Sequence, residues 1–278
     1  MSLAPNAILI KSDYIDFLYY WLGSNTGQEE IKKITSKSAM PKFNKTEFKK
    51  INIPIPSLEE QTRIVGILDT FTSSIENLKQ QIAERRKQYE YYRDQLLDLE
   101  GKEGVEMKTL PEISKNCDRA RKPITSSKRV AGIYPYYGAS GIVDYVESYI
   151  FDGDYLLISE DGANLVMRTT PIAFSISGKN WVNNHAHVLK FNDLVTQKYV
   201  EIYLNMINLD PWINGAAQPK LNQDNLNRIE IPLPSLEEQS RIVSILDTFE
   251  ASIANLEAQL KQREKQYEYY RNKLLTFE

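Results

Sequence analysis

The chain holds only two histidines, His185 and His187, separated by one alanine. On a strand, alternation would place both imidazoles on one face, a geometry a metal ion can use. The neighbouring Asn183 and Asn184 favour a hydrogen-bonded pair instead. Glu160-Asp161 are adjacent acids in a glycine-containing stretch, but no second acidic cluster or lysine at nuclease spacing accompanies them. Asp210-Pro211-Trp212 lacks the second proline of the Asp/Asn-Pro-Pro-aromatic signature that holds a target base during amino-methylation, and it reads as a helix-ending turn. The chain has no Gly-Lys-Ser/Thr phosphate loop, no Gly-x-Ser-x-Gly elbow and no His-Glu-x-x-His zinc helix. Its one cysteine, Cys117, cannot build a thiolate cage. These residues predict a non-catalytic protein with no cofactor and no metal of its own.

Binding chemistry is better supplied. From Lys115 to Arg129 the basic residues Lys115, Arg119, Arg121, Lys122, Lys128 and Arg129 face a single acid, Asp118. The surrounding region, residues 101–234, is balanced as a whole, with 14 basic and 15 acidic residues in total. A basic patch on a neutral domain is the footprint of an edge that faces phosphates. Tyr134, Tyr136, Tyr137, Gly138, Ser140 and Gly141 combine amphipathic rings with glycines that allow close backbone approach. Gln218, Lys220, Asn222, Gln223 and Asn225 crowd side chains suited to base edges, because Asn and Gln pair adenine in two bonds and Lys reaches guanine. Lys42, Asn44 and Lys45 form a weaker equivalent.

The elements that must position these residues follow from pattern. Ile133–Tyr137, Ile142–Val146, Tyr155–Ile158, Ile172–Ser175 and His187–Phe191 predict short strands, separated by Gly-Ala-Ser-Gly, Asp-Gly-Asp and similar turns. A helix is predicted over Gln197–Asn208. Near the N-terminus, Ala7–Lys11 predicts a strand, Tyr14–Leu22 a helix and Asn25-Thr26-Gly27 a break.

A repeat organises the rest. IPIPSLEEQTRIVGILDTF, ending in KQYEYYRDQLLDLE, recurs as IPLPSLEEQSRIVSILDTF, ending in KQYEYYRNKLLTFE, at a constant offset of 178 residues from Pro41/Pro219 onward. Prolines keep the chain extended before Ser57 and Ser235, which predict helix N-caps with Glu60 and Glu238 as capping-box partners. Apolar residues then step by four and three: Ile64, Leu68, Phe71, Ile75, Leu78, Ile82, Tyr89, Tyr92, Leu96, Leu99, and their counterparts Ile242 to Phe277. That is a coiled-coil seam on a helix of roughly 60 Å. The organisation predicted is 1–56, the C-terminal remnant of a first globular domain; 57–100, a first helix; 101–234, a complete globular domain; and 235–278, a second helix.

With 278 residues, 26% charged, and a formal net charge of −3, the composition is that of a globular chain. No apolar run approaches the ~20 residues of a membrane span. One cysteine excludes an internal disulfide and fits a reducing compartment, the cytoplasm. A free-standing DNA binder usually carries a basic surplus, so the net charge argues against nucleic acid as a whole-chain ligand.

The duplicated SLEEQ helices with their Tyr-Tyr-Arg ends, the segment YPYYGASGIVDYV and the stretch Trp181 to Val188 together resemble the specificity (S) subunits of bacterial type I restriction–modification systems. The resemblance implies an α+β fold: loop-rich target-recognition domains joined by the two repeated helices, packed as an antiparallel coiled coil. It implies sequence-specific binding of double-stranded DNA, with methyltransferase (M) subunits docked on the helices and motor–nuclease (R) subunits in the full complex. Adenine methylation and restriction, with S-adenosylmethionine, ATP and magnesium, would then belong to the partners, which would also supply phosphate contacts. Within this reading Tyr136, Ser140, Asn180, Gln218, Lys220, Asn222 and Gln223 are expected on bases, and Arg119, Arg121, Lys122 and Lys128 on phosphates. The departure is the shortened first recognition domain, which leads to an expectation of self-association as a homodimer. The alternative from the same residues is an inactive truncated cassette or a coiled-coil scaffold or decoy.

Overall fold

Pro54 and Pro56 hold the backbone extended up to Ser57, and a 40-residue helix begins at the next residue. Ser57 Oγ accepts the Glu60 N–H, and Ser235 Oγ repeats this with Glu238. The expected capping boxes are only half formed: the Glu60 and Glu238 carboxylates turn away to bidentate pairs with Arg63 and Arg241. Gln61 and Gln239 tie the starts down instead, donating to the Pro56 and Pro234 carbonyls at 2.8 Å.

The computed structural model describes residues 7–37, 41–215 and 218–277. Its helices in chain order are α1 (Ile15–Gly23), α2 (Asn25–Ile34), α3 (Lys45–Phe48), α4 (Leu58–Leu97), α5 (Leu110–Ile113), α6 (Asn164–Met167), α7 (Leu194–Met206), α8 (Gln223–Leu226) and α9 (Leu236–Leu274). Its strands are β1 (Glu106–Thr109), β2 (Ser114–Asn116), β3 (Ala131–Gly138), β4 (Gly141–Val146), β5 (Phe151–Asp152), β6 (Tyr155–Ser159), β7 (Ala173–Ile176), β8 (Lys179–Val182), β9 (Ala186–Phe191) and β10 (Glu230–Leu233). The fold is α+β, and it divides into two units, one of residues 1–87 with 250–278 and one of 88–249. Among the described residues no helix is long and apolar enough to cross a membrane.

In the first unit α4 and α9 run antiparallel. Phe71 stacks on Tyr270, Lys79 pairs with Glu264 at 3.5 Å and Arg86 with Glu257 at 2.5 Å, so partner numbers fall along α9 as they rise along α4. Ile75, Leu78 and Ile82 are buried on the predicted seam. At the start of α4 the seam widens into a small core of Phe17, Tyr20 and Trp21 from α1 with Ile64, Leu68 and Leu275. Leu275, one residue past the predicted Leu274, is the fully buried position, because α1 adds a second apolar wall there. Two expectations fail near the N-terminus. Ala7–Lys11 forms no strand. Asn25-Thr26-Gly27 is the first turn of α2 rather than a break: Ser24 caps it by accepting the Gly27 N–H, and the chain turns there in a single residue. A Cβ on Gly27 would lie 2.1 Å from the Trp21 carbonyl oxygen, so only glycine allows this turn.

The second unit repeats the scheme with a larger domain. The start of α9 (Ile242, Leu246) and the end of α4 (Leu97) join α7 (Tyr199, Val200, Leu204) in the main core. Tyr92 stacks on Phe249 there. The domain itself is built on an antiparallel sheet of order β2-β9-β6-β7, whose central strand β6 is buried along its whole length. A second sheet has order β4-β3-β8-β5, with β3 and β8 parallel. The five strands and the helix expected between residues 131 and 208 all form; β1, β2, β5 and β8 add to them. β10 carries Ile231 and Leu233 from the pattern, with Ile229 just before it, and pairs with β1. The matching Ile51, Ile53 and Ile55 form no strand.

Candidate nucleic-acid interface

The basic segment 115–129 begins within β2 and is anchored by its only acid. Asp118 is 8% exposed. Its carboxylate accepts the Val188 N–H at 2.8 Å and faces His187 Nδ1 at 2.7 Å. His187 Nε2 lies 2.8 Å from the Leu221 carbonyl, so each ring nitrogen points at an acceptor. Arg121 lies beside this pair, donating to Glu160 at 2.6 Å and to the Ala186 carbonyl at 2.7 Å, with Asp118 at 3.4 Å. Lys220 reaches Glu160 from the outer side at 3.1 Å. Burial by itself would raise the Asp118 carboxyl, but His187, the Val188 N–H and Arg121 outweigh it and hold it below the usual carboxylate value. Glu160 is held low in the same way, with burial opposed by Arg121, His187 and Lys220.

This cluster corrects several expectations. Arg121 is held by a buried ion-pair network and is not on the phosphate-facing edge. Arg129 is likewise engaged, stacked over the Tyr136 ring at 4.4 Å and paired with Asp144 at 3.2 Å. Tyr136 is 1% exposed, with its hydroxyl accepting the Ile124 N–H at 2.9 Å, and so presents nothing to a base. Asn180 is fully buried and donates to the Gly178 carbonyl, so it too is unavailable. Alternation on β3 and β8 turns both inward. The histidines do not form a pair: His187 is buried on β9, while His185 precedes the strand and meets Asp161 at 2.9 Å. Among the described residues no cluster of His, Cys, Asp and Glu is placed to hold a metal ion. Asp210–Trp212 is a turn of 3-10 helix after α7.

The remaining residues lie at the surface. Arg119, Lys122, Lys128, Ser140, Gln218, Lys220 and Gln223 are exposed; Asn222 is half-buried as the N-cap of α8, accepting the Asn225 N–H as Asn44 accepts that of Glu47 in α3. Lys115, Arg119 and Gln223 line one cleft of about 550 Å³, which brings the basic segment to the first residue of α8. Ser140 lines a second cleft with Gly138–Val143, Asp161–Asn164, Asn183 and His185. Backbone bonds tie the loops together: Leu221 N–H to the Glu160 carbonyl at 2.8 Å and Gly162 N–H to the Pro219 carbonyl at 3.1 Å. Glu160, Asp161 and His187 thus set the position of the 218–223 segment, a role sequence reading missed. The one acid amid six basic residues was its only trace in the sequence.

Exposed cations and amide side chains thus line clefts on a loop-rich α+β domain, in a chain whose two repeated helices run antiparallel. The family model described as the type I restriction modification DNA specificity domain matches residues 4–85 and 102–265, and the chain belongs to this family. It is 41% identical over 188 residues to a putative type I restriction enzyme specificity subunit from Haemophilus influenzae, covering 65% of this chain and 48% of that protein. It is 32% identical over 306 residues to the EcoR124I/EcoR124II specificity subunit of Escherichia coli, covering 99% of this chain and 73% of that one. The chain thus spans about half the length of the H. influenzae relative. A solved S subunit of a type I restriction–modification system from M. genitalium shares the fold, with TM-score 0.66 and 19% identity over 95% of this chain and 73% of that chain.

Proposed function

We propose that this chain is the sequence-reading subunit of a type I restriction–modification assembly and is itself non-catalytic. Residues 101–234 form the recognition domain, and the repeated helices 57–100 and 235–278 carry the partner subunits. Double-stranded DNA is the ligand, methyltransferase subunits modify adenine, and motor–nuclease subunits join them for restriction; the reaction's cofactors belong to those partners. The observation that carries this reading is the cleft where Lys115 and Arg119 meet Gln223. It puts phosphate-neutralising cations beside an amide able to pair a base edge, the two kinds of contact that sequence-specific binding combines.

Methylation mapping tests it. Co-expression with the methyltransferase subunit should methylate adenine within one defined motif, and omission of this chain should abolish it. Unmethylated DNA in the presence of both subunits, or methylation without sequence preference, would overturn the reading.

A further inference from the structure

The second cleft, between the β3–β4 turn and the 161–164 loop, has a volume of about 430 Å³. No lysine or arginine lines it, and its one carboxylate, Asp161, is met by His185 Nδ1 at 2.9 Å. A phosphate finds no counter-charge there, so the recess suits a base edge rather than the DNA backbone. Its polar end is Asn183, which is 6% exposed. Asn183 Oδ1 accepts the His185 N–H at 2.8 Å, and this fixes the amide so that it offers only its amino group. A Cβ built on Gly138 would lie 3.4 Å from Asn183 Nδ2 and 3.2 Å from Val143 Cγ2. The bare glycine therefore sets an amide donor and an aliphatic methyl side by side. Val143 is 59% exposed and Ile142 49%, an apolar rim that nothing in the fold covers.

We propose that this recess reads a thymine. It rests on the DNA-recognition reading above and gives one of its sites a base. Thymine is the base whose major-groove edge joins an acceptor, O4, to a C5 methyl group. Asn183 donates to O4, and Val143 and Ile142 contact the methyl. Guanine O6 and N7 and adenine N7 offer acceptors with no methyl beside them, while cytosine N4 presents a donor that the Asn183 amino group cannot pair.

The test uses the full chain assembled with its methyltransferase subunit. A preferred duplex is selected from random DNA, and each thymine is replaced in turn by uracil, which removes only the methyl. At one position uracil should weaken binding about fourfold, the worth of one buried methyl-sized group. Val143→Ala should bind about as weakly and be indifferent to uracil at that position. Asn183→Asp keeps the acceptor for the His185 N–H but removes the donors, and should move the selected base from thymine toward cytosine. Tolerance of uracil at every position, or full sensitivity retained in Val143→Ala, overturns the thymine assignment while the recognition reading stands. A failure to select any sequence overturns both.

Discussion

Phe71 stacks on Tyr270 with ring centroids 5.4 Å apart and planes at 27°, and Phe249 stacks on Tyr92 at 5.4 Å and 28°. Each residue of the second pair is the repeat counterpart of one in the first, 178 positions away, with the helices exchanged. The same exchange relates Arg86–Glu257 to Lys79–Glu264, where the sign of each partner is reversed and the pairing survives. Two copies of one sequence packed through one seam in opposite directions meet the same neighbours twice.

Equal geometry predicts equal energy. A double-mutant cycle on Phe71→Ala and Tyr270→Ala should give a coupling of about 1 kcal/mol, as expected of an aromatic pair beyond its buried area. The cycle on Phe249→Ala and Tyr92→Ala should agree with it within about 0.5 kcal/mol. Denaturant unfolding of the seven proteins, the unsubstituted chain serving both cycles, measures both; couplings that differ by more would show the likeness of the two contacts to be superficial.

Tyr20 marks where the two ends differ. Its hydroxyl donates to Asp69 at 2.6 Å, and burial together with that bond pushes its pKa up to about 12. Tyr20→Phe should cost about 1 kcal/mol of stability, since Asp69 is exposed and recovers part of its hydrogen bonding from water. Asp247, the counterpart of Asp69, is equally exposed, but the tyrosine on Asp69 comes from α1, so Asp247→Asn should leave the unfolding midpoint where it is. Equal losses in both variants would contradict this.

The helices and the strands were readable because their determinants are local: a period of 3.5 for the seam, turn residues between the strands, and prolines ahead of each long helix. Leu97 and Leu275 broke the seam pattern because α7 and α1 pack against the helix ends from a third direction. The site was legible only in outline. Lys115, Arg119 and Gln223 do converge, but the cluster that holds them joins Asp118 to His187 and Arg121 to Glu160 across long loops. A list of basic residues cannot separate Arg121, which neutralises buried acids, from Arg119, which faces solvent. Tyr136 and Asn180 were misread for a related reason: polar character was taken for exposure on strands whose alternation points them inward.

The same cluster makes stability depend on pH. Folding lowers the pKa of both Asp118 and Glu160 from ordinary values of 3.8 and 4.5, so in acid the folded chain binds fewer protons than the unfolded one. The stabilisation is complete above those values and disappears as pH falls through the lower folded ones. Unfolding midpoints of the native chain should drop steeply below about pH 4.5, and those of Glu160→Gln less steeply. Parallel acid limbs for the two proteins would remove Glu160 from the account.

The sharpest separation of roles lies among the cations of one short segment. Arg119, Lys122 and Lys128 are exposed, and each changed to alanine should leave the melting temperature unaltered. If each meets a phosphate, each substitution should lower the slope of log affinity against log salt by about 0.9. Arg121 sits between Asp118 and Glu160, with its side chain 14% exposed. Arg121→Ala leaves two buried carboxylates without their shared counter-charge, which should cost about 3–5 kcal/mol of stability. DNA titrations over a salt series, paired with thermal melts of the same four variants, distinguish the two behaviours. An Arg121→Ala protein that melts normally and loses only salt-dependent affinity would place that guanidinium on the DNA after all.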